Sequence, residues 1–154
     1  MADEIADPAS FRAAAAHLDE WLERQRAENP MVAALERGEP DEYRWYLRVR
    51  GEQKDVFTVW WTLRQRTLHY ETYVLPAPEE RAAEMYEFLL RRNRQIFGAA
   101  FCIGDEDACY LVGQIPIAQI DDGELDRILG TLWEWTERSF RPAMRLGFGA
   151  RFKG

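Results

Sequence analysis

The chain has 154 residues, 47% of them hydrophobic and 13% aromatic, which is enough apolar surface for one domain core. Lys and Arg total 20 against 27 Asp and Glu, a formal charge of −7 that argues against nucleic acid or an anionic membrane as partner. The opening residues MADEIADPAS are acidic where a secretory leader is basic, no apolar run approaches the roughly 20 residues of a membrane span, and the two cysteines read as reduced thiols. The expected setting is the cytoplasm.

Asp7-Pro8 supplies a cap and first-turn pair, after which Phe11, Ala14, Leu18, Trp21 and Leu22 recur at helical spacing. Asn29-Pro30 stops this helix, and residues 31–35 predict a short further turn before Gly38-Glu39-Pro40 breaks the chain again. Residues 43–50 alternate, with Tyr43, Trp45, Leu47 and Val49 opposed to Arg44, Tyr46, Arg48 and Arg50, and form the first predicted strand. Residues 55–75 are the most aromatic stretch and read as a hairpin turning at Gln65-Arg66. This turn pairs Leu63 with Leu68, Trp61 with Tyr70, Val59 with Thr72 and Phe57 with Val74. Facing Val49 to Phe57, Leu47 to Val59 and Trp45 to Trp61 requires an odd-length loop or a bulge around residues 51–54, a role that suits Gly51.

Beyond Leu75-Pro76-Ala77-Pro78 the period becomes helical. Glu79, Glu80 and Glu84 fall early, Arg91, Arg92 and Arg94 late, and Ala82, Met85, Tyr86 and Leu89 make an apolar stripe, with Gly98 after the end. Residues 99–103 and 108–115 predict a second hairpin around Gly104-Asp105-Glu106-Asp107, closed by Pro116. Asp121-Asp122-Gly123-Glu124 reads as a capping box for a last helix whose core positions are Leu125, Ile128, Leu129, Leu132, Thr136 and Phe140, ended or kinked at Pro142. The N-terminal few residues and residues 146–154 are expected to be loosely ordered. The predicted order is α-βββ-α-ββ-α, one α+β domain over residues 1–154 in which helices cover a single antiparallel sheet.

Chemistry-bearing residues are sparse. The predicted register sets Cys102 opposite Cys109, a candidate disulfide or two-thiolate half-site, against which stands the reading of both as buried thiols in a reducing compartment. His69 lies beside Trp60 and Glu71, where it could shuttle protons, yet neither a nucleophile nor a metal partner accompanies it. The acidic loop 105–107 lacks the spacing of a calcium loop, and phosphate loops and nucleophile elbows are absent from the sequence. No catalytic residue, metal site or cofactor is predicted. What remains is the second face of the sheet, with Arg44, Tyr46, Arg48, Trp60, His69, Glu71 and Tyr73 as a candidate partner or dimer interface. The plain alternative is a face covered by a helix of the same chain or of a dimer mate. Stacking of single-stranded RNA is disfavoured by the acidic total and by the lack of an RNP-type signature.

The run TYVLPAPEERAAEMYEFLLRRN, followed by GAAFCIG, YLVGQIPI and FRPAMRLGF, resembles the actinobacterial branch of the YbjN family, and the likeness spans roughly residues 43–152. That family is labelled as bacterial sensory transduction regulators, and its domain is similar in fold to type III secretion class I chaperones, which are small, acidic and commonly dimeric. The resemblance therefore implies a non-enzymatic, chaperone-like or regulatory role, a protein or peptide partner and a homodimer. The alternative from another class is a small-molecule sensor, or an enzyme with a pocket between sheet and helices.

Overall fold

The computed structural model describes residues 5–152, which run through α1 (Pro8–Glu28), β1 (Val32–Arg37), β2 (Arg44–Arg50), β3 (Val56–Leu63), β4 (Thr67–Leu75), α2 (Ala82–Asn93), β5 (Ala100–Ile103), β6 (Cys109–Pro116) and α3 (Asp122–Gly147). All strand pairs are antiparallel and the sheet order is β1-β2-β3-β4-β6-β5. The α+β class and the single antiparallel sheet are those expected, with one strand added at the edge.

The alternation in the sequence becomes register. Val49 pairs with Phe57, Leu47 with Val59 and Trp45 with Trp61, while Trp61 also faces Tyr70 and Leu63 faces Leu68. Because the side-chain period is two, these pairings put all of these side chains on one face. The β2–β3 connection is indeed odd in length: Arg50 pairs with Val56 around a five-residue loop closed by Gly51 N–H donating to the Asp55 carbonyl. A Cβ on Gly51 would sit 2.0 Å from Glu137 Oε1 and 2.1 Å from the Lys54 carbonyl, so no other residue fits there.

Helix starts follow their local signals. Asp7 caps α1, its carboxylate accepting from Ser10 N–H at 2.8 Å, with Pro8 in the first turn. Asp121 caps α3 through Glu124 N–H at 2.8 Å, but the Glu124 carboxylate turns to Arg127 and does not close the box. Ala14, Leu18, Trp21 and Leu22 of α1 and Leu125, Ile128, Leu129 and Leu132 of α3 join the inward faces of β2, β3, β4 and β6 in one buried cluster. Each such large side chain contributes roughly 1.5–3 kcal/mol by leaving water.

Several expectations need correction. Of residues 31–35, read as a short further turn, 32–35 belong to the edge strand β1, because the outer edge of β2 offers a ladder that outweighs the helix propensity of an Ala-Ala-Leu-Glu run. Cys102 does not face Cys109: Ile103 pairs with Cys109 and Cys102 with Tyr110. Left-handed backbone at Glu106 and Asp107 lengthens the turn by one residue, so the cysteines sit on opposite faces and both are free thiols. Helix α2 begins at Ala82 after a left-handed Arg81, which leaves Glu79 and Glu80 outside it. Pro142 does not end α3; the Arg138 carbonyl that its missing N–H leaves unserved accepts from Arg92 Nη2 at 3.5 Å.

The tail is also tied down as far as it is described. Phe148 is buried, Ala150 N–H donates to Glu80 at 2.8 Å and Arg151 pairs with Glu79. The other positions expected to be loose, residues 1–4 and 153–154, lie outside the described residues.

Candidate interaction surface

The inward set of sheet residues is consumed by the core; the outward set is not. Arg44, Tyr46 and Arg48 on β2, Thr58, Trp60 and Thr62 on β3, and His69, Glu71 and Tyr73 on β4 all lie on the second face, as their strand positions require. The sequence-derived candidates are therefore brought together. Tyr46 stands opposite Trp60, Trp60 opposite Glu71 and Thr62 opposite His69.

Among the described residues no helix covers this face, which removes the same-chain alternative. The outward aromatics lie outside the buried cluster that the helices join and are half-buried. The β4–β6 pairing adds Tyr110, opposite Tyr73, and Val112, opposite Glu71. The Tyr110 ring lies 5.6 Å from Tyr73, edge to face, and 6.2 Å from Trp60. Sequence reasoning missed Tyr110 because the neighbour of β4 is a strand thirty-odd residues later in the chain; its only local signal is alternation with the buried Cys109 and Leu111.

The polar groups on this face do not form a reactive set. His69 Nε2 is 4.0 Å from Glu71, and burial, followed by the nearby Arg64, holds its pKa below the ordinary value while Glu71 pulls the other way. Burial raises the pKa of Tyr73 and Tyr110, with nearby acidic groups adding to the effect. Among the described residues no group of three or more His, Cys, Asp or Glu could hold a metal ion. Burial also drives the Cys109 thiol up to about 11, far from a reactive thiolate.

At one end of the face, Lys54 crosses the sheet rim. Its Nζ donates to the carbonyls of Tyr73 at 2.8 Å and Val74 at 2.7 Å and lies 5.0 Å from the Tyr73 ring. The loop that carries it is clamped from α3, where the buried Glu137 accepts N–H bonds from Glu52, Gln53 and Lys54 at 2.9, 2.5 and 3.4 Å. The platform is thus braced by the core helix without being covered by it.

A second apolar feature lies where α2 meets the edge strand β5. A cavity of about 440 Å³ is lined by Tyr86, Leu89, Leu90, Phe101, Ile103 and the two cysteines, and Leu90 and Ile103 are 63% and 54% exposed. The outer edge of β5 is already engaged: the Asn93 amide accepts from Phe101 N–H at 2.7 Å and donates to its carbonyl at 3.2 Å. This blunts the edge against pairing with a further strand.

This α+β fold, one antiparallel sheet backed by three helices, is similar to that of chains in chaperone–effector and type III secretion complexes. A chain of the HopA1–SchA chaperone–effector complex superposes with a TM-score of 0.57 at 16% identity, over 89% of this chain and 98% of that one. A chain of the heterodimeric ExoU–SpcU complex from the type III secretion system of Pseudomonas aeruginosa gives 0.50 at 17% identity, over 81% and 98%. The chain itself belongs to the YbjN family, described as "Putative bacterial sensory transduction regulator", whose model matches residues 14–143. Among its relatives, the Mycobacterium tuberculosis protein Rv0487 is 34% identical over 98 residues, 64% of this chain and 54% of that protein. Mycobacterium leprae ML2442 is 32% identical over 105 residues, 68% and 57%. The chain thus spans about half the length of these curated relatives. Among the described residues no helix is long and apolar enough to cross a membrane.

Proposed function

We propose that this chain is a cytoplasmic, non-enzymatic protein-interaction module of chaperone-like or regulatory type, which binds a partner protein across the open sheet face. The observation that carries this reading is the cluster of Tyr46, Trp60, Tyr73 and Tyr110, framed by Arg44 and Arg48, on a face that no helix covers among the described residues. Aromatic and Arg side chains supply most binding hot spots, and a large amphipathic surface of this kind is costly to leave in water. The chaperone–effector complex among the structural relatives supports a protein as partner.

In this reading the module is a homodimer joined at the α2–β5 edge, where Leu90 and Ile103 are exposed. Glu84 and Glu87 occupy the first half of α2 and Arg91 and Arg92 its end, so two antiparallel copies place opposite charges together. That arrangement leaves the sheet face free for the partner.

The test is capture of a partner from cytoplasmic extract with tagged wild type, Trp60→Ala and Tyr73→Ala. Loss of the captured protein with both variants is expected; equal recovery would move the interface to α2. The cavity at the α2–β5 edge favours one other reading, binding of a small apolar molecule. A rise in melting temperature with a metabolite panel, abolished by Leu90→Glu, would select it.

A further inference from the structure

On the open sheet face the basic residues gather on β2 and at the end of β3, with Glu36 of the edge strand β1 standing opposite Tyr46 beside them. Arg44 and Arg48 project from β2 on either side of Tyr46, and Arg64 follows β3 close enough to His69 to oppose its protonation. Among the described residues the guanidinium groups of Arg44, Arg48 and Arg64 have no ion-pair or hydrogen-bond partner. This is notable in a chain whose acids outnumber its bases by 27 to 20. Elsewhere the arginines do find partners: Arg24, Arg26 and Arg37 each reach a carboxylate at 2.6 to 2.9 Å. At the opposite side of the face the sign reverses, since Glu71, Asp105 and Glu106 act on Tyr110. Trp60, Tyr73 and Tyr110 run beside Glu71 across β3, β4 and β6.

A nucleic acid carries phosphate along its whole length and would meet Glu71 and the acidic 105–107 turn as it crossed the sheet. A peptide carries charge only where its side chains place it. We infer that the occupant of this face is an extended segment of a partner protein, with carboxylate side chains over Arg44 and Arg48 on β2 and an aromatic or aliphatic anchor over Trp60, Tyr73 and Tyr110. This rests on the interaction reading above and adds to it the chemistry and direction of the bound segment. In an extended segment alternate side chains face the sheet, so the glutamates and anchors recur at every second position.

The probe is a fluorescein-labelled synthetic peptide with alternating glutamates at one end and alternating phenylalanines at the other, followed by fluorescence anisotropy. Versions with glutamine or lysine for glutamate, and labelled oligouridine, are measured beside it. Saturable binding of the glutamate peptide is expected, weakened by added salt, absent with the lysine version and reduced about tenfold by Arg44→Gln/Arg48→Gln, two exposed charge contacts acting together. Both arginines are exposed and unbonded, so this variant should retain the wild-type circular dichroism spectrum. If the glutamine peptide bound as tightly while Trp60→Ala still abolished binding, the acidic assignment would fall and the face would remain the partner site. Binding of no peptide, or binding that Trp60→Ala leaves intact, would overturn the face itself. Tighter binding of oligouridine, displacing the peptide, would overturn it in favour of RNA.

Discussion

Lys54 sits where burial and charge compete. Its ammonium is held against two backbone carbonyls at the end of β4, and desolvation pulls its pKa from the ordinary 10.5 down to about 8, with Glu137 partly opposing the shift. Since the folded chain releases this proton before the unfolded one, the unfolded state binds more protons between about pH 8 and 10.5, and the contribution of Lys54 to stability rises with pH across that window. Cys109 works in the opposite sense: its folded pKa of about 11 lies above the ordinary 9, so the stability it confers is complete below pH 9 and is lost towards 11. Denaturant titrations of wild type and Lys54→Met at a series of alkaline pH values separate the two, and the difference in unfolding free energy between them should grow in favour of wild type from pH 8 upward. No such growth would mean that Lys54 is not buried as described. Gly113 is a second strict position. It faces Tyr70 across β4 and β6, and a Cβ there would lie 2.3 Å from the Gly98 carbonyl and 2.5 Å from the Tyr70 ring, whose hydroxyl donates to that same carbonyl at 2.7 Å. Gly113→Ala should cost about 1–3 kcal/mol in thermal or chemical unfolding, the usual penalty of overpacking.

Among the elements, the β2–β3 hairpin is the one whose geometry depends most on a distant partner. Its five-residue loop turns three N–H groups towards one carboxylate on α3, and that carboxylate is buried, so its removal leaves three donors without an acceptor. Glu137→Ala should cost about 1–3 kcal/mol and accelerate amide hydrogen exchange at residues 52–54 ahead of the rest of the sheet, with Glu137→Gln recovering part of the protection. Uniform acceleration across the molecule would instead mean that the clamp contributes only to global stability. The other helix contacts are made of similar parts: Trp21 Nε1 donates to Asp126 at 2.9 Å and Arg24 to Asp122 at 2.8 Å, joining α1 to α3. Asp19 accepts from both Arg37 and Trp45, joining α1 to β1 and β2. The helices are thus fastened to one side and to each other.

The whole molecule presents two different surfaces, an amphipathic sheet face and an aliphatic helix–strand edge. Aliphatic contacts are typical of permanent self-association, while aromatic and charged ones suit a heterologous partner. Light scattering coupled to size exclusion should accordingly give twice the 18.1 kDa chain mass for wild type and for Trp60→Glu, and the chain mass for Leu90→Glu. Dissociation by Trp60→Glu alone would assign the aromatic face to self-association and send the search for a partner to α2. A wild-type monomer would remove the dimer altogether.

Elements whose partners lie close along the chain follow from the residues alone. Alternation through Trp45, Leu47 and Val49, and again through Phe57, Val59 and Trp61, settles which face is buried, because a slip of one residue would expose the whole set. Short loops then leave little choice of register, and the caps at Asp7 and Asp121 act within four residues. The candidate face of Arg44, Tyr46, Arg48, Trp60, His69, Glu71 and Tyr73 was legible for that reason. Tertiary structure decided what depends on distant contacts or on backbone conformation that residue type does not announce. Residues 32–37 became a strand only because β2 had an open edge, and Tyr110 reached Trp60 and Tyr73 only because β6 docks on β4. Left-handed Glu106 and Asp107 moved Cys102 away from Cys109. Most consequentially for function, the three helices gather on one side of the sheet; a period of two marks the more apolar face as core, but only the packing of distant helices decides whether the other face is covered as well.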